Sequence, residues 1–236
     1  MDFRTLSKAQ ANNYELGLRA YMIGVFNKMF VALGITSAVS FLIVSNQSLL
    51  RTFCSGGVML LCTVATLALG FILPLRLHKM SVSTANNLLL LYSALMGTFL
   101  SPVIAMYAGK SIAMAFFTAA TFFGGMSLVG YTTKKDLTSL GTFMFVGLIV
   151  VVLSSLVNTF FIKSQGFSLA LSALSVVIFM GLTAYDLQNI KKAYSIAPSN
   201  EALSKISIFG ALQLYLDFIN IFIHLLQIFG AGENKD

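Results

Sequence analysis

Charge is the scarcest property of this sequence. Of 236 residues only 10% are Asp, Glu, Lys or Arg, against about 25% in a typical soluble domain. With 57% hydrophobic residues and a mean hydropathy of +0.87, that scarcity excludes an ordinary soluble fold. It leaves a polytopic membrane protein, long enough for one compact bundle and too short for a second, soluble domain. Cysteine is almost missing. Cys54 and Cys62 show no metal-binding spacing; a helix sets them about 12 Å apart, beyond disulfide range, so they read as two apolar thiols. Catalytic signatures are missing too: no HExxH, GxSxG or Gly-rich phosphate loop lies on any apolar run. Gly124-Gly125 followed by Gly130 suits helix packing rather than a nucleotide. An enzyme is not expected, nor a cofactor. No cleavable signal is expected either, because residues 1–21 carry Arg4, Lys8, Glu15 and Arg19 with no small-residue site after a short apolar core. The net charge of +7 is no nucleic-acid signal, since the basic residues fall in short loops and there set topology.

What is present is a series of seven apolar spans: 21–44, 57–75, 85–107, 112–131, 140–162, 167–188 and 206–229. They divide the chain into a cytoplasmic tail (1–20), a transmembrane domain (21–230) and a short C-terminal tail (231–236). Lys28 sits near the start of the first span, where it can snorkel to the interface. Residues 45–55 read as a polar loop and 189–204 as a longer polar connection. Ser101-Pro102 lies deep in the third span, where proline frees a carbonyl and kinks the helix. Ala115 with Ala119, and Ala120 with Gly124, suit close packing of the fourth. With the N-terminus inside, Arg4, Lys8, Arg19, Lys28, Arg76, Lys79, Lys134, Lys135, Lys191, Lys192 and Lys205 all fall inside. Only Arg51, Lys110, Lys163 and Lys235 fall outside. That asymmetry predicts a cytoplasmic N-terminus and an external C-terminus.

The seventh span carries an acid at its centre. On a helical wheel Gly210, Gln213, Asp217, Asn220, His224 and Gln227 form one stripe about 100° wide, and Leu, Ile, Phe and Tyr fill the rest. Such a helix belongs inside a bundle, its stripe facing a cavity, water or a polar partner. Six of the eight acids, Asp2, Glu15, Asp136, Glu201, Glu233 and Asp236, lie in tails or loops; only Asp186 and Asp217 lie in spans. Asp186 shares a helix face with Ser168, Ser172, Ser175 and Thr183. The two helices are consecutive and antiparallel, and stripe facing stripe brings the acids together in the cytoplasmic half.

Two carboxyls in an oily setting cannot both ionise cheaply, so such a pair shares a proton and titrates in coupled steps. Deprotonated, it repels itself and offers oxygens to a divalent cation such as calcium. Arg76 is a candidate to hold one acid ionised and latch the helices. Gln213, Asn220, His224, Ser175 and Thr183 are candidate pore-lining groups. The plainer reading makes Asp186 a helix-end acid solvated by headgroups and His224 a core histidine bonded to a carbonyl.

Three blocks carry a family resemblance. They are Leu100-Ser101-Pro102 with Phe116-Phe117-Thr118-Ala119-Ala120; Gly130-Tyr131-Thr132-Thr133-Lys134-Lys135-Asp136; and Thr183-Ala184-Tyr185-Asp186-Leu187-Gln188 with Ala211-Leu212-Gln213-Leu214-Tyr215-Leu216-Asp217. Together they resemble the bacterial branch of the Bax inhibitor-1, or transmembrane BAX inhibitor motif, family. The resemblance implies an all-α membrane protein with seven transmembrane helices, six surrounding a central C-terminal seventh. It implies a pH-sensitive calcium leak channel gated by the aspartates matching Asp186 and Asp217, with Arg76 as the paired arginine. The same two aspartates would be the transient calcium ligands. It also implies a bacterial inner-membrane location, since the short C-terminus lacks the lysine-rich tail of eukaryotic members. Expected partners are the lipid bilayer and calcium. The alternative is an interaction protein that modulates a membrane-bound AAA protease or cell-death and stress machinery. Proton-coupled transport of an organic substrate is disfavoured, for no discontinuous spans or internal halves are visible.

Overall fold

Backbone amides inside a bilayer have no water to bond, so apolar spans become helices. The computed structural model describes residues 3–233. These form α1 (Phe3–Ser45), α2 (Gln47–Phe53), α3 (Gly56–Arg76), α4 (Val82–Ala105), α5 (Gly109–Thr132), α6 (Thr138–Val157), α7 (Gln165–Ile196) and α8 (Asn200–Glu233), with no strand among the described residues. All except α2 are long and apolar enough to cross a membrane, α6 completing its span through a π-turn at Asn158–Ile162. The seven spans expected from hydropathy are therefore seven helices. Asp2, Lys235 and Asp236 lie outside the described residues.

Three boundaries differ from the sequence reading. Residues 45–55 are largely helical, because the Asn46 side chain accepts from the amides of Ser48 (3.0 Å) and Leu49 (3.2 Å) and starts α2. Residues 3–20, read as a tail, are helical and continuous with the first span in α1. The connection drawn at 189–204 shrinks to residues 197–199. Polar sequence at a membrane edge leaves the hydrocarbon without leaving the helix, so α7 and α8 run on to 32 and 34 residues. Pro198 then breaks the chain, and the Ser199 hydroxyl accepts from the Ala202 amide (3.1 Å) to start α8.

The last helix is the axis of the bundle. Ile208, Ala211, Leu214, Tyr215 and Ile221 are fully buried, and α1, α4, α5 and α7 pack around them. Behind these, α3 packs on α4 and α6 on α7, completing six helices about a central seventh. Small residues set the closest approaches. A Cβ on Gly97 would stand 2.6 Å from the Thr36 carbonyl of α1, and one on Gly130 would strike the Ala184 backbone of α7. Ala115 and Ala119 are fully buried in the same way, whereas Ala120 and Gly124, read as a second packing pair, face outward. Their side of α5 borders a cavity shared with Phe26 and Phe30 of α1 instead of packing directly on a helix. Within α4, Pro102 leaves the Thr98 carbonyl without its helical donor, and the Ser101 hydroxyl takes that place at 2.6 Å.

Candidate functional site

Antiparallel packing of α7 on α8 is fixed at several heights. Near one end the Ser172 hydroxyl donates to Gln227 Oε1 at 2.7 Å. Further along, the Phe179 ring stacks on His224 with centroids 6.3 Å apart. At the other end Gly210 receives the Ile190 side chain. This register sets Asp217 level with Thr183, and Asp186 lies only three residues further along α7. The separation along the axis is thus about 5 Å at 1.5 Å per residue. The register thus places the two acids of the spans within about one helical turn of each other along the α7–α8 interface.

Their surroundings differ. Asp217 is 4% exposed, and its Oδ2 has no hydrogen-bond partner among the described residues. Asp186 is half-buried. On the α5 side, Phe218 packs edge-on against Phe116 and Phe123 at 5.8 and 5.7 Å, walling the acid from the lipid side. On the α7 face, Ser175 and Thr183 are fully buried, and their hydroxyls donate to the Leu171 and Phe179 carbonyls (2.8 and 2.7 Å). Each keeps lone pairs to offer into the stripe.

The remaining stripe residues differ in burial and partners. Gln213 and Asn220 are half-buried; Asn220 turns its amide back to the Leu216 carbonyl at 2.8 Å. His224 is half-buried against Phe179, and its Nδ1 has no partner among the described residues, so the carbonyl bond of the plainer reading is absent at that nitrogen. Two large cavities, of ≈ 500 and ≈ 610 Å³, flank Phe218, and neither is lined by Asp186 or Asp217.

Arg76 is not joined to either acid. It is exposed at the end of α3, which packs on α4 rather than on α7, and the ion pairs among the described residues are Lys192–Asp136 and Lys205–Glu201. Ser207 of α8 stands opposite Lys28, and the Lys28 ammonium donates to the Ser207 hydroxyl (3.2 Å) and to the Gly24 carbonyl (3.3 Å).

Sequence reasoning missed the clamp beside the pair. Gln188 is buried; its amide nitrogen donates to the Lys135 carbonyl (2.8 Å) and its oxygen accepts from the Leu137 amide (3.0 Å), tying the α5–α6 connection to α7. Next to it, Lys191 donates to the Tyr131 carbonyl at 2.8 Å and lies over the Tyr131 ring. A glutamine two residues after the acid was the available signal, since a buried amide must find partners.

Chemically, the arrangement can hold a proton between two acids of unequal exposure. No group of three His, Cys, Asp or Glu side chains capable of holding a metal occurs among the described residues.

Comparison with known proteins agrees with the architecture. The family model described as "Inhibitor of apoptosis-promoting Bax1" matches residues 18–234. The chain is 42% identical over 217 residues to the inner membrane protein YbhL of Escherichia coli, covering 91% of this chain and 92% of that one. It is 39% identical over 228 residues to protein RP147 of Rickettsia prowazekii, covering 96% of each chain. A membrane protein of Streptococcus pyogenes serotype M1 is 35% identical over 222 residues, 93% of this chain and 96% of its own. Seven apolar helices and a match over nearly the whole length make this chain a member of the Bax inhibitor-1 family of membrane proteins.

Proposed function

We propose that the protein is a pH-sensitive calcium leak channel of the bacterial inner membrane, with the Asp186/Asp217 pair as sensor and gate. The observation that carries the reading is the Asp217 carboxyl oxygen, buried at the centre of α8 with no hydrogen-bond partner among the described residues, about one helical turn along the interface from the more exposed Asp186 of α7. A carboxylate at that depth costs several kcal/mol unless it is paired or protonated. With one proton shared the two helices stay packed. Loss of that proton drives the carboxylates apart and exposes their oxygens to a cation. Calcium is then cargo, passing Thr183, Gln213, Ser175, Asn220 and His224, and no resident ion or cofactor is needed. The likeness to YbhL, itself named an inner membrane protein, supports an inner-membrane location, and the bias of basic residues supports a cytoplasmic N-terminus.

The test is calcium flux into proteoliposomes across a pH series. Flux is expected to change with pH in the parent and to become pH-insensitive in Asp217→Asn. Flux indifferent to both pH and the substitution removes the channel. The alternative, regulation of a membrane-bound protease or of stress machinery, would then be favoured by a stoichiometric partner retained by Asp186→Asn/Asp217→Asn.

A further inference from the structure

The ring of helices around α8 has a seam. Both α1 and α5 pack on α8, yet they meet each other little. Between them lies the cavity of ≈ 500 Å³, floored by Leu187 of α7 and Phe218 of α8. Its walls are apolar, with Phe26 and Phe30 on one side and Gly124 on the other. Among the lining residues Arg19 lies nearest the start of α1 and Tyr131 nearest the end of α5, with the Lys191 ammonium over the Tyr131 ring. Arg19 makes no ion pair among the described residues. Ser127 on the α5 wall carries a buried hydroxyl with no hydrogen-bond partner among them.

We propose that this seam is a binding site for one anionic phospholipid, its phosphate at Arg19 and one acyl chain lying against Leu187 and Phe218. Size and charge together choose the occupant. From Arg19 to Phe30 the α1 wall spans about 16 Å at 1.5 Å per residue, close to half of a hydrocarbon core about 30 Å thick. The cavity is thus as deep as one leaflet, apolar along its length and cationic at its headgroup end. The floor residues are the sequence neighbours of Asp186 and Asp217, so the chain tail would rest one residue from each acid. Binding at the seam does not require that the acids gate anything.

The site can be filled without disturbing the fold, since a Cβ on Gly124 meets no atom within 4 Å. The probe is phosphatidylglycerol with a photoreactive acyl tail, a minor component in vesicles of phosphatidylcholine containing the full chain. Illumination should label α1 and α5 peptides lining the seam in preference to the lipid-exposed face of α6 around Phe143 and Leu153. Gly124→Phe should abolish that label, and Arg19→Gln should lower it about fivefold, the factor that corresponds to about 1 kcal/mol per basic residue at an anionic surface. Should Gly124→Phe fail to fold, Gly124→Leu serves the same purpose. Label spread evenly over all outward faces, label unchanged by filling the seam, or equal labelling by tailed phosphatidylcholine would each overturn the proposal.

Discussion

Tyr215 of α8 and Thr36 of α1 hold each other through hydroxyls 2.7 Å apart, and Thr36 lies 2.9 Å from the Ser93 carbonyl of α4. Three helices thus meet in one polar node at full burial, with Tyr92 edge-on to Tyr215 at 6.0 Å. Deleting one partner from such a node costs more than deleting the bond itself, because the survivor is stranded.

Thr36→Val should therefore destabilise the protein by about 1–3 kcal/mol, leaving the Tyr215 hydroxyl buried without a partner. Tyr215→Phe should cost only about 1 kcal/mol, since Thr36 keeps the Ser93 and Ala32 carbonyls. Reversible unfolding in detergent micelles gives the order; the reverse order would show that the node carries no strain of this kind.

Glycines in this bundle should separate into two classes. Gly97→Ala must push the Thr36 carbonyl away from 2.6 Å, and overpacking of this sort costs about 1–3 kcal/mol. Gly124→Ala enters open space and should gain up to about 1 kcal/mol from helix propensity. Equal effects of the two substitutions on thermal stability would contradict the close contact of α4 with α1.

If the two span acids interact, their substitutions cannot add. Asp186→Asn and Asp217→Asn, alone and together, should give a coupling of about 0.5–3 kcal/mol, as neighbouring groups do. A cycle that closes within about 0.3–0.5 kcal/mol would place the carboxyls out of reach of each other.

Outside the membrane, the Lys192 ammonium hydrogen-bonds Asp136 at 2.8 Å, and the Thr138 hydroxyl and amide add to it. These bonds pull the Asp136 carboxyl down to about 2. A lowered carboxyl adds stability above its ordinary value near 3.9, and that stability is lost as pH falls toward about 2. A titration followed by carboxyl NMR should place Asp136 near 2. Lys192→Met should return it toward the ordinary range, and the pair is exposed enough that added salt should weaken the shift. A midpoint unmoved by Lys192→Met would refute the bond as the cause.

Much of this was legible beforehand, for reasons particular residues make plain. Hydropathy found seven helices because a bilayer leaves the backbone no other choice. The polar face of 206–229 found the central helix because only a surrounded helix can keep Asp217, Gln213 and Asn220 among so many aliphatic neighbours. Helix ends were less legible. Residues 189–204 look like a loop by polarity, and only Pro198 and Ser199 mark the true break. Charge alone suggested roles for Arg76 and Lys28, but which partner a long side chain reaches depends on which helix stands opposite, and one helix at a time does not say. Gln188 was visible as part of a motif, while its partners on the α5–α6 connection are 51 and 53 residues away.

The axial position of α8 bears on how the molecule is made. Every helix that packs on it precedes it in the chain, so a ribosome has delivered all of the walls before it delivers the post they lean on. Until then the faces of α1, α4, α5 and α7 that end against Tyr215 and Leu214 have only lipid or one another to meet. Cotranslational insertion must therefore tolerate a hollow intermediate, and a chaperone or insertase that shields polar groups within the membrane would find its substrate there.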